Sequence, residues 1–167
     1  IGEHRVREHI RLLSPAFVLV AGIWLLRLIL AAAGTPFWLT RMASVTVATT
    51  VSVLLSVILM YARRFGGYAS VVVASLLINI WAQALVILSI LFSILTKTEN
   101  IYTASEFSLP GVYASQWAHI HGHLTFGVGV GTLVGAAEGC LLLWLLRRLV
   151  PAAGIDQHDD TMTQRLQ

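Results

Sequence analysis

Three histidines stand at alternate positions in the run Trp117-Ala118-His119-Ile120-His121-Gly122-His123. On a helix, His119 and His123 fall on neighbouring rungs of one face, with His121 roughly opposite. Two imidazoles at that spacing can share a metal ion, and imidazole suits zinc, copper, nickel and haem iron. A complete site needs further ligands, and Glu99, Glu106 and Met42 are expected at compatible depth. Two other readings stay open. The histidines can cap or hydrogen-bond loop backbone at a water interface, or they can sense pH or touch a partner.

A second group is polar and lies inside apolar runs. Counted at about 1.5 Å per residue from each helix end, Arg27, Thr50, Asn79 and Glu138 reach a common depth, with Gln83 one turn beyond Asn79. A lone charge at a bilayer centre costs about 3 kcal/mol on insertion scales. The expectation is therefore an ion pair between Arg27 and Glu138, satisfied by Asn79 and Gln83. A proton relay would need a continuous chain of titratable groups, which this sequence lacks.

A third pattern is structural. Gly127, Gly131, Gly135 and Gly139 recur every four residues, and small residues at that spacing let another helix backbone approach closely. Such a row drifts by about 40° per step on a 3.6-residue helix, which suits a crossed partner. That partner is either the third crossing of this chain or a helix of another subunit.

The elements that carry these residues follow from composition. Of 167 residues, 57% are apolar and only 11% charged, and the mean hydropathy is +0.79, so a soluble helical domain is excluded in favour of a membrane one. Predominantly apolar runs near the roughly 20 residues that cross a bilayer core recur at 15–33, 43–61, 68–95 and 124–149. The reading is an all-α, four-helix transmembrane bundle over 1–150, followed by a polar tail at 151–167. Residues 1–12 read as an interfacial arm. The connection 96–118 carries Tyr102, Phe107, Tyr113 and Trp117, ring types that settle at headgroup depth. The first apolar run has no small-residue cleavage site after it and reads as a retained span.

Arg5, Arg7, Arg11, Arg63, Arg64, Arg147, Arg148 and Arg165 gather on one side, against Arg41 and Lys97 on the other. The positive-inside rule then places both termini in the cytoplasm. With no organelle signal, this means a bacterial inner membrane with the histidines periplasmic. The basic pI is explained by topology and points to lipid rather than nucleic acid. Cys140 is the single cysteine, so neither an intrachain disulfide nor a paired-cysteine metal motif can form.

The string His119-Ile120-His121-Gly122-His123-Leu124-Thr125-Phe126-Gly127 resembles the histidine-bearing helices of the haem-copper oxidase and nitric oxide reductase superfamily, over about a dozen residues. The resemblance implies that two of His119, His121 and His123 are haem ligands. The first three crossings contain no histidine, so neither a bis-histidine haem nor that superfamily's copper site can be completed within the chain. It therefore implies a subunit that finishes its site with a partner.

No nucleophile triad, phosphate loop or paired-carboxylate motif is present, so independent catalysis is not expected. The leading expectation is an accessory subunit of a larger membrane complex, redox or respiratory, lending its histidines to a metal or haem site. The alternative is a stand-alone metal- or haem-binding membrane protein, cytochrome-like or copper-handling. A small transporter would want an inverted repeat around a midplane site, and none is visible.

Overall fold

The computed structural model describes residues 6–104 and 115–149, all helix and turn with no strand among them. Four helices are long and apolar enough to cross a membrane. In chain order the helices are α1 (Val6–Ala32), a short α2 (Phe37–Met42), α3 (Val45–Ala62), α4 (Tyr68–Thr96), α5 (Gln116–Gly122) and α6 (Val128–Leu149), with a single π-helical turn (His123–Gly127) joining the last two.

From Val6 onward, the arm and the first crossing expected from the sequence are one helix. Pro15 sits inside α1, where it deprives the Arg11 carbonyl of its backbone donor. The Ser14 hydroxyl donates to that carbonyl instead, at 3.1 Å. The helix therefore runs through the proline, and His9 is carried into the core, edge-on to Phe65 at 5.0 Å.

α3 and α4 form a central pair, with α1 packed on one side and α6 on the other. Leu13, Val20, Val53, Val57, Val71, Ile78 and Ile90 are fully buried between them. Two hydroxyls of α3 bond within their own helix, Thr49 donating to the Val45 carbonyl at 2.7 Å and Ser56 to the Ser52 carbonyl at 2.6 Å, while Ser52 donates across to the Ala16 carbonyl of α1 at 3.5 Å. That removes the cost of burying them. Two indoles fasten α1 to α4, Trp24 donating to Ser89 Oγ and Trp81 to the Phe17 carbonyl, both at 3.0 Å.

The glycine row meets α4 along its whole length. A side chain on Gly127 would run into Gln83, on Gly131 into Asn79, on Gly135 into Ser75 and on Gly139 into Val71. The facing residues of α4 also step by four, so the two rows drift together and remain in register. The partner of the row is the third crossing of this same chain.

At the end of α4, Lys97 takes a left-handed conformation and Asn100 folds the following turn back onto the bundle. Its Nδ2 donates to the Ser89 carbonyl at 2.6 Å, and its Oδ1 accepts from the Tyr102 amide at 2.9 Å. Tyr102 is thereby buried to 7% exposure, not laid on a surface as an interfacial aromatic would be. Phe107 and Tyr113 lie outside the described residues, while Trp117 is exposed.

Candidate functional site

Ser115 caps α5 by accepting from the Ala118 amide at 3.2 Å, which places His119 one turn in. The π turn begins at His123. Such turns insert one extra residue into a helix and are frequent at functional sites. His119 and His123 emerge on one side, their rings 4.8 Å apart and tilted by 31°, with Nε2 atoms 3.1 Å from each other. His121 points to the exposed side of the same helix.

His123 is oriented from behind. Its Nδ1 lies 2.6 Å from Gln83 Oε1. In the tautomer that donates Nδ1–H to this oxygen, Nε2 presents its lone pair towards His119, whose own Nε2 is then the donor across the 3.1 Å contact. The amide of Gln83 occupies the space where Gly127 has no side chain, since a Cβ there would come within 2.7 Å of Gln83 Cδ. The first glycine of the row thus positions the hydrogen-bond partner of a histidine, in addition to packing the helices.

The pair lines an open cavity of about 610 Å³ bounded by α3, α4, the π turn and α6, with Arg27 of α1 and Tyr102 on its wall. Thr50, Asn79, Gln83, Gly127, Gly131 and Gly135 also line it. Three patterns that read separately in the sequence, the histidines, the polar residues and the glycine row, therefore meet around one space. Thr46, Thr49 and Tyr102 complete the polar wall. Reasoning from sequence missed these three, and only the asparagine turn at Asn100 hints that Tyr102 is turned inward.

Arg27 lies over the Tyr102 ring at 5.2 Å. Burial pushes the Tyr102 phenol up to about 12, against the opposing pull of the Arg27 guanidinium.

The expected Arg27–Glu138 pair does not form. Arg27 lies 21 residues along α1 from Val6, roughly 30 Å of helix, whereas Glu138 lies 11 residues from Leu149, roughly 16 Å. Counting from Pro15 shortened the first distance and made the two look level. Glu138 stands outside the cavity lining, and its Oε2 is buried with no hydrogen-bond partner among the described residues. Asn79 serves its own helix, donating to the Ser75 carbonyl at 2.9 Å.

Of the remaining candidate ligands, Met42 is 73% exposed and stands outside the cavity lining. Glu99 belongs to a different cavity. Glu106 lies outside the described residues. Among the described residues no third histidine, cysteine or carboxylate joins the pair.

Chemically, the arrangement offers two imidazole nitrogens on one side of an ion. Were one ion bound by both at about 2.0–2.1 Å, Nε2 atoms 3.1 Å apart would subtend about 100° at it, near the tetrahedral angle. That suits two adjacent positions on one ion and not the opposed axial positions of a single haem iron. No known protein family, curated protein or solved structure matches this chain.

Proposed function

We propose that this chain is an accessory subunit of a larger integral-membrane complex, of redox or respiratory type, to which it lends His119 and His123 as two ligands of a transition-metal ion. One observation carries the reading: the two Nε2 atoms lie 3.1 Å apart, with the His123 ring anchored through Nδ1 to Gln83 Oε1 at 2.6 Å. A ring nitrogen anchored to an oxygen acceptor while the other faces the metal is the usual second-shell arrangement of ligating histidines. Zinc and copper are the ions that such a nitrogen pair and angle fit.

The donor set supports a subunit role. Two histidines leave a tetrahedral ion with open positions, to be filled by water, substrate or a partner's side chain. The four apolar helices fit lipid contact. In this reading both termini are cytoplasmic, because Arg63, Arg64, Arg147 and Arg148 gather at one end of the bundle. The histidines then face the periplasm from the inner membrane. The second reading is a stand-alone metal-binding membrane protein, in which both histidines and Gln83 behind them come from this one chain.

The test is purification of the full chain in mild detergent, with a blue-native gel, elemental analysis and an absorbance spectrum. Large co-purifying subunits with zinc or copper, lost in the His119→Ala/His123→Ala variant and kept in His121→Ala, are expected. Metal retained by the double variant would refute the ligand assignment. A small oligomer with stoichiometric metal would select the stand-alone reading, and a Soret band would assign haem instead.

A further inference from the structure

A second cavity, of about 830 Å³, lies between α1 and α4 and shares only Ile101 with the histidine cavity. Its walls are Trp24, Leu28 and Ala31 of α1 against Leu88 and Phe92 of α4, and the turn carrying Glu99 and Asn100 forms its roof. It opens sideways, where Leu88 is 55% and Phe92 60% exposed. Its size is that of a small-molecule site.

The polar groups in its wall are already engaged with one another. The Thr35 hydroxyl bonds the Leu30 carbonyl and Thr40, Ser89 Oγ accepts from Trp24, and both arms of the Asn100 amide are held by backbone. The body of any occupant must therefore be apolar. The rim is different. Glu99, in the turn after α4, contributes the one charged side chain of the lining among the described residues. One carboxylate in the wall of an otherwise apolar cavity complements a headgroup that carries an ammonium.

We infer that this cavity binds an acyl chain of a primary-amine phospholipid, phosphatidylethanolamine in kind. Its ammonium faces Glu99. A primary ammonium donates hydrogen bonds to a carboxylate, which a trimethylated amine cannot do, so choline lipids bind less well. An anionic lipid leaves Glu99 facing a like charge. This assignment rests on the four helices lying in a bilayer and is independent of the metal reading; resistance to alkaline carbonate extraction checks that placement separately.

The experiment uses the full chain, delipidated in detergent, with phosphatidylethanolamine, phosphatidylcholine or phosphatidylglycerol added back. Phosphatidylethanolamine is expected to raise the thermal midpoint by roughly 4 °C or more, the choline lipid less, and the glycerol lipid not at all. Ala31→Trp fills the cavity and should abolish the response, while Glu99→Gln should erase the preference for ethanolamine over choline. A phosphatidylethanolamine carrying a photoreactive acyl chain should label the segments around Ala31 and Leu88 in the wild-type chain, a readout that needs no variant to fold. Labelling elsewhere, an undiminished response in Ala31→Trp, or equal stabilisation by phosphatidylglycerol would overturn the assignment. So would a larger shift from a quinol with an isoprenoid tail, which would give the cavity to a different ligand.

Discussion

Replacing Gly131 by alanine tests the contact on which the cavity is built. The new Cβ would overlap Asn79 Oδ1 and come within 3.1 Å of its Cγ. Asn79 is 4% exposed and its Nδ2 is held by the Ser75 carbonyl at 2.9 Å, so the amide cannot swing aside without breaking that bond. Moving α6 away as a body would open the neighbouring contacts of Gly127 with Gln83 and of Gly135 with Ser75. Overpacking of this kind costs about 1–3 kcal/mol, and a lost buried hydrogen bond adds about 1 kcal/mol. A total near 3 kcal/mol lowers the midpoint of a chain this size by roughly 6–12 °C.

The single cysteine supplies the assay. Cys140 lies in α6 and is partly buried, so a thiol-reactive fluorophore reports unfolding in detergent without an added label. Gly129→Ala is the control, because a Cβ there meets nothing within 4 Å and alanine is the better helix former. Pairing Gly131→Ala with Asn79→Ala should recover most of the loss, since the substituted atom and the one it strikes are then both accommodated. Equal midpoints for Gly131→Ala and Gly129→Ala, or a double variant no better than the single one, would refute the interlocking of α4 and α6.

Four further outcomes follow from the same geometry. Gln83→Ala should weaken zinc or copper binding by about 10–100-fold with the helical circular dichroism unchanged, measured by competition with a chelator. Gly127→Ala should weaken it too, by displacing the Gln83 amide, whereas Met42→Leu should leave it intact. Arg27→Gln and Glu138→Gln should have additive effects on the midpoint to within about 0.5 kcal/mol, because the two side chains occupy different levels. The phenol of Tyr102 is raised from 10.0 to about 12 by burial, so its contribution to stability is complete below pH 10 and is lost as pH rises to about 12. Alkaline unfolding of Tyr102→Phe should lack that component.

Relations along one helix were legible in the sequence, and relations between helices were legible only where a repeat tied them together. The facing of His119 and His123 follows from helix geometry alone, and the glycine row announces a close neighbour whatever its identity. Pairing across helices depends on how far one slides past another, which hydropathy does not measure. Reading α1 from Pro15 instead of Val6 misplaced its end by nine residues, roughly 14 Å, enough to turn Arg27 from a neighbour of Tyr102 into an apparent partner of Glu138. Gln83 was visible as a polar residue near Asn79 but not as the anchor of His123. That contact depends on the π turn, whose shift from i→i+4 to i→i+5 bonding has no residue signature. The same register explains why the site and the packing row share a helix. Gly127 closes the π turn and starts the row, so the step that sets the histidines also fixes the level at which α6 meets α4. A substitution that shifts α6 against α4 must therefore move His123 relative to Gln83, and stability and metal affinity should fall together along the row, most steeply at Gly127.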